Sequence, residues 1–430
     1  MTITLLHVAV ALCSGLLMTR VFKALHLNFP DVTAFLVAGL AIGPYGLGSL
    51  GINGLGFNTI EQVRDLEIIS EAALGFIAFS IGNEFKLSHL KGIRGQAVTI
   101  GILQAVTAMI FVDIVLVIVC FFAKNTLTLP AAITLGAVAT ATAPAATLMV
   151  VRQYKAHGNL TNLLLPIVAL DDAVGLVAFA VSFGVAQAIL SSSISFVAVI
   201  INPIVEIIAS LALGSLLGII LTKLEELFYS NTNRLALTIS FVFITIALSA
   251  LTFEIGPVTV SFSSLLVCMM LGTVLCNLCD RSADIMSRAD QWTSPLNTLF
   301  FVISGAELEL SVFRSIPVII IGLLYILARS AGKYYGARFS AKMTGCDSKI
   351  CRYLGFTLLP QAGVALGMSS KATALGGYEG VLVRNIVLFG VLVYELVGPS
   401  ITRWALTRSG DIEETPEHKK NHKRFESPKI

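Results

Sequence analysis

Apolar residues in this chain come in long runs. Thirteen stretches of membrane-spanning length follow one another, with approximate limits 3–22, 33–49, 67–83, 97–122, 130–151, 161–187, 197–222, 235–253, 257–277, 295–312, 316–337, 351–369 and 382–404. A bilayer core needs roughly 20 apolar residues of helix to cross it, so each stretch predicts one transmembrane helix. The fold class this implies is an all-α polytopic membrane protein of about 13 transmembrane helices. The first run has no basic residue before it and no evident cleavage site, which predicts a retained span and not a secretory signal.

Composition strengthens that picture. Hydrophobic residues make up 56% of the 430 and charged residues 13%, against about 25% charged in soluble domains. The seven cysteines are scattered mainly through apolar runs, which argues against a disulfide framework. Cys276 and Cys279 form a lone C-x-x-C without a second pair or a nearby histidine, and read as small packing residues. Gly214 and Gly218 on span 7 read the same way, as a small-residue helix contact.

The net charge of +3 becomes informative only when mapped onto the linkers. Alternate linkers carry Arg20 and Lys23; Lys86, Lys91 and Arg94; Arg152 and Lys155; Lys223 and Arg234; Arg281 and Arg288; and Arg338, Lys342, Lys349 and Arg352. The C-terminal region adds seven more basic residues, whereas the other six linkers hold only Arg64, Lys124, Arg314, Lys371 and Arg384. Cytoplasmic loops collect Lys and Arg, so the expected topology is N-terminus outside and C-terminus in the cytoplasm. An odd number of spans is then required.

Two spans carry a break near their middle. Span 5 contains "ATATAPAAT" around Pro144, and span 12 contains "LLPQAGVALG" around Pro360. Proline frees backbone groups that hydrocarbon cannot satisfy, so such breaks persist only where they line a cavity or protein. The two spans lie seven apart and run in opposite directions. This predicts an inverted repeat of spans 1–6 and 8–13, bridged by span 7, with two crossed broken helices.

Charged residues converge at the same depth. Asp171 and Asp172 stand side by side in span 6 ("LDDAVG"), Arg329 and Lys333 lie in span 11, and Gln361 sits inside the second break. Intramembrane ionisable residues are costly and mark ion or proton pathways. A dehydrated monovalent cation needs several oxygen ligands, which Asp171, Asp172, Thr140, Thr142 and freed carbonyls near Pro144 can supply. Each threonine hydroxyl has an alternative role in bonding its own helix. A second reading makes the charges a structural cluster that satisfies the helix ends. Lys333 is expected to line the inner funnel. Asp113 and Gln104 lie on span 4, with Gln104 one face away; Glu71, Glu307 and Glu309 fall nearer span ends, where solvated or dimer-contact roles are expected.

Taken in order, "LHLNFPDVTAFLVAGLAIGPYGLG" (26–48), "EAALGFIAFSIGNEFKLSHLKG" (71–92), "TATAP" (140–144), "LDDAVG" (170–175), "PLNTLFFVISGAELEL" (295–310), "ARSAGKYYGARF" (328–339) and "LLPQAGVALG" (358–367) resemble the bacterial cation:proton antiporter-2 family. The resemblance covers nearly all of residues 1–404. It implies a membrane transporter domain over 1–404, divided into a dimerisation domain (spans 1–3 and 8–10) and a mobile core domain (spans 4–6 and 11–13), followed by a short basic cytoplasmic tail (405–430). It implies a homodimer in the cytoplasmic membrane that exchanges a monovalent cation, sodium or lithium, for protons by alternating access. Asp172 would be the principal carrier and Asp171 the partner of the span-11 base, here Arg329. Ala143 replaces a position often occupied by Ser or Asp, which removes one oxygen ligand.

Other functions fit less well. Potassium/proton exchange is the nearest alternative, although the tail is too short for a nucleotide-binding control domain. A sodium-coupled organic anion symporter would use Arg329 to grip a carboxylate that the paired aspartates repel. Intramembrane aspartyl proteolysis needs acids on facing helices, whereas neighbours on one helix point about 100° apart. The sequence therefore predicts a transporter and not an enzyme, with no cofactor, no dinucleotide motif and no nucleic-acid partner. One fixed cation beside two carboxylates favours electroneutral exchange on charge alone, while the family's paired aspartates imply electrogenic exchange.

Overall fold

A computed structural model describes residues 2–25, 29–52, 54, 56–86, 94–122, 126–191, 201–255, 258–307, 316–372 and 375–413. The chain opens with α1 (Thr2–Ala24), α2 (Asp31–Ile42), α3 (Ile60–Arg64) and α4 (Glu67–Gly82). Next come α5 (Arg94–Phe122), α6 (Leu129–Val138), α7 (Pro144–Gln153) and α8 (Asn159–Ser191), and α9 (Asn202–Glu225) leads into the second half. That half holds α10 (Asn231–Ser249), an antiparallel pair β1 (Phe253–Ile255) and β2 (Val258–Val260), α11 (Ser264–Leu278) and α12 (Ser282–Glu307). It closes with α13 (Ile316–Met343), α14 (Ser348–Thr357), α15 (Gly363–Ala372) and α16 (Gly377–Ser409).

Each predicted span falls on one of these helices or on a pair. Spans 5 and 12 are the pairs α6/α7 and α14/α15, broken where the prolines stand. Pro144 opens α7, and Ala143 before it is extended (φ −80°, ψ 103°), the conformation a residue before proline prefers. Seven of the helices in the described residues are long and apolar enough to cross a bilayer unaided.

Three boundaries depart from the sequence reading. Span 8 ends at Ser249 and span 9 begins at Ser264, because the β-branched residues between them pair as β1 and β2, with Phe253 opposite Val260. Span 10 begins at Ser282, well before the expected residue 295. Its polar first turns are amphipathic, burying Ile285, Met286 and Ala289 while Arg288 bonds Asp284 at 2.9 Å on the outer face, and Pro295 lies inside the helix. Of the positions singled out above, Lys91, Lys124, Glu309, Arg314, the side chains of Arg94 and Asp172, and the tail beyond residue 413 lie outside the described residues.

The helices pack in two groups. Helix α5 lies along α13, and α6, α8, α14, α15 and α16 complete the first group. In the second, α11 packs on α4 and α9, α12 on α2 and α4, and α1 on α2 and α12. Gly214 and Gly218 meet Val267, Met270 and Val274 of α11, the expected helix contact. The α5–α13 contact positions the site. A β-carbon at Gly332 would stand 2.6 Å from Cα of Ala108, and one at Gly336 would stand 2.9 Å from Cα of Gln104. Only glycine permits that approach, and Lys333 lies between the two.

Candidate functional site

The two breaks cross and bind each other. The Ala143 N–H donates to the carbonyl of Pro360 at 2.8 Å, so the position that supplies no side-chain oxygen ties the two interruptions together. The freed carbonyls around them are met by cationic and amide side chains. Arg329 donates through Nε to Ala139 O (3.0 Å), through Nη1 to Leu359 O (2.8 Å) and through Nη2 to Ala141 O (2.5 Å). Gln361 Nε2 donates to Val138 O at 3.0 Å and to the Tyr325 hydroxyl at 2.9 Å. Arg329 is completely buried, and the Tyr394 ring lies 4.5 Å from its guanidinium carbon.

Asp171 is the acid at this crossing, buried with 0% exposure on α8. Lys333 Nζ pairs with Asp171 Oδ2 at 2.9 Å, and neither side chain is exposed. Thr142 Oγ1 donates to the same oxygen at 2.5 Å, while Gln104 Nε2 donates to Oδ1. Lys333 Nζ also donates to Thr140 O (2.6 Å) and Thr142 Oγ1 (2.9 Å). Both carboxylate oxygens are thus engaged by donors, as a buried charge requires.

This corrects the expected ion pair. Arg329 is bound to three backbone carbonyls, and Lys333 is the partner of Asp171. A planar guanidinium with a fixed fork of donors suits three diverging carbonyls, whereas the single ammonium of lysine on a flexible stem reaches one carboxylate. Lys333 therefore belongs to the cluster and not to a funnel wall. Gln104 also faces Asp171, where the sequence placed it one face away.

The remaining candidates separate. Asp172 follows Asp171 on α8. Thr142 joins the cluster, but the Thr140 hydroxyl donates to Ala137 O at 2.6 Å and closes the last turn of α6. Asp113 packs against Gly136 of α6, nine residues and roughly 13 Å further along α5 than Gln104, and takes no part. Glu71 is exposed. Glu395 on α16 was not singled out by sequence; it is 3% exposed. It sits inside an apolar run, as Asp171 does, and that isolation was the available signal.

Beside the crossing lies an apolar pocket between the two helix groups. Leu74 and Ile77 of α4, Met269 of α11 and Phe300 of α12 face Pro144 and Gly363 across it.

A transmembrane sodium/hydrogen exchanger family model matches residues 8–408. The chain belongs to that family. It is a multi-pass membrane cation:proton antiporter. Among curated relatives, the ammonium/H(+) antiporter subunit AmhT of Alkalihalophilus pseudofirmus is 22% identical over 384 residues, covering 88% of this chain and 90% of the relative. The Na(+)/H(+) antiporter NhaS4 of Synechocystis is 22% identical over 386 residues, covering 87% and 90%. Among solved structures, the sodium proton antiporter MjNhaP1 of Methanocaldococcus jannaschii at pH 8 shares the fold, with a TM-score of 0.71, 18% identity and coverage of 96% of this chain and 99% of that one.

Proposed function

We propose that this antiporter exchanges sodium, with lithium accepted, for protons across the cytoplasmic membrane, and that Asp172 is the carboxylate that carries cation and proton in turn. The observation that supports this reading most is the engagement of Asp171. With Lys333 at 2.9 Å and Thr142 at 2.5 Å on one oxygen and Gln104 on the other, Asp171 is an anchored partner of Lys333, and Asp172 is left as the exchanging acid. In this reading Thr140, Thr142 and carbonyls of the break around Pro144, each hydrogen-bonded within the protein in this structure, complete the oxygen ligands. A cation that binds there displaces a proton, and competition for one carboxylate is exchange.

Charge accounting now differs from that of one fixed cation. Two acids, Asp171 and Asp172, are matched in number by two bases, Lys333 and Arg329, so the four charges sum to zero when all are ionised. Arginine keeps its proton, whereas a desolvated lysine can release one. Cation binding at Asp172 is offset when Lys333 also releases its proton, and this gives electrogenic exchange of two protons per sodium ion.

Alternating access is the relative movement of the two packed groups: α5–α8 with α13–α16 as the mobile core, and α1–α4 with α10–α12 as a scaffold through which two copies form a homodimer. The basic linkers support an N-terminus outside and a C-terminus in the cytoplasm. The test is exchange by reconstituted protein in liposomes containing a pH dye, with sodium, lithium, potassium and ammonium offered in turn. Sodium and lithium should give the lowest half-saturating concentrations. Equal rates with potassium, or exchange with ammonium alone, would move the assignment to those ions.

A further inference from the structure

The last turn of α7 is fastened to the opposite helix group by contacts that the exchange site does not use. Arg152 Nη1 lies 3.0 Å from Asp290 Oδ1 on α12, and the Ser80 hydroxyl of α4 donates to the same oxygen at 2.8 Å. The next residue, Gln153, accepts the Asp31 N–H at the start of α2 through Oε1 at 2.8 Å. Three helices of the scaffold thus hold one end of a half-helix. Its other end, Pro144 and Ala145, forms part of the wall of the cavity beside the crossed breaks. The half-helix is ten residues long, about 15 Å, so the fastening stands that far from Pro144, on the basic-linker side of the cavity.

We propose that Arg152, Asp290 and Ser80, with Gln153 on α2, form a latch that shuts the basic-linker side of the cavity and opens once in each exchange cycle. The proposal rests on the reading that the two helix groups move against each other, since α7 cannot move with the core while these bonds hold. Exposure fits a bond that breaks repeatedly. Arg152 and Asp290 side chains are 30% and 34% exposed, whereas Lys333 and Asp171 are at 0%. Water re-solvates the first pair as it parts, so opening is cheap; parting the second would strand a buried charge. Ser80 and the Asp31 N–H add direction, because both demand one register of α7 against the scaffold.

The test measures access to the cavity wall and needs no transport. In a full-length chain whose seven cysteines are replaced, Ala145→Cys is reacted with a membrane-impermeant maleimide in vesicles of each orientation. With Asp290→Asn or Arg152→Gln added, labelling from the basic-linker side should rise about two- to fivefold, the range open to a partly exposed ion pair, and labelling from the opposite side should fall. Arg152→Lys, which keeps the charge, should stay near the parent rate. Unchanged rates in Asp290→Asn overturn the latch. An equal rise on both sides also overturns it, since that marks a loosened fold. Absence of ion exchange by the parent protein would instead strike at the proposed function and leave the labelling result standing.

Discussion

At the scale of single residues, the arrangement assigns different duties to two cations one turn apart. Lys333 is paired with Asp171 at 2.9 Å with both side chains buried, so removing either partner strands a charge. Lys333→Met should lower stability by about 3–5 kcal/mol, and Lys333→Met with Asp171→Asn should recover much of that, as read by thermal unfolding in detergent. An additive loss in the double variant would mean that the pair is not coupled. Arg329→Ala should destabilise for another reason, because it leaves the carbonyls of Ala139, Ala141 and Leu359 without donors, at about 1–3 kcal/mol for each group left unsatisfied. Arg329→Lys should fall between parent and Ala, since the three donors of an ammonium leave from one nitrogen, whereas these carbonyls are met by three separate nitrogens of the guanidinium. The paired aspartates and both bases were legible in the sequence as charges inside apolar runs. Which base meets which acid was not legible, because depth along a helix does not record the reach of a lysine stem or the need of broken helices for a forked donor.

At the scale of elements, the prolines at 144 and 360 announced both breaks, and the structure adds that they cross through the Ala143–Pro360 hydrogen bond. The spans were legible because twenty apolar residues have few other uses. The early start of α12 was not, since its polar first turns are amphipathic and resemble a loop in a hydropathy window. Helix approach leaves a fainter trace, the glycines at 332 and 336 that bracket Lys333. Gly332→Leu should press on Ala108, hold α13 away from α5 and draw Lys333 off Asp171. Overpacking of this kind costs about 1–3 kcal/mol, and the variant should show a reduced monodisperse fraction in size-exclusion chromatography and reduced exchange. An unaltered elution profile with parent exchange rates would show that the α5–α13 distance does not govern the site.

At the scale of the whole molecule, two helix groups meet around an apolar pocket whose wall includes Pro144 and Gly363 of the two breaks, and the buried Asp171–Lys333 pair lies outside its lining. The apolar wall offers a cation no ligands, which suits the sliding surface that the proposed alternating access requires. If exchange is electrogenic, reconstituted protein on a solid-supported membrane should give a transient current on a sodium jump, and that current should reverse with the gradient. Dye-detected exchange without current would assign the electroneutral cycle and leave Lys333 as a fixed counter-charge. The most direct measurement of the central claim is sodium-driven proton movement in proteoliposomes by the parent, Asp171→Asn and Asp172→Asn, each verified as folded by thermal unfolding. The account predicts no exchange by Asp172→Asn with any cation and residual exchange by Asp171→Asn; near-parent exchange by Asp172→Asn would contradict it.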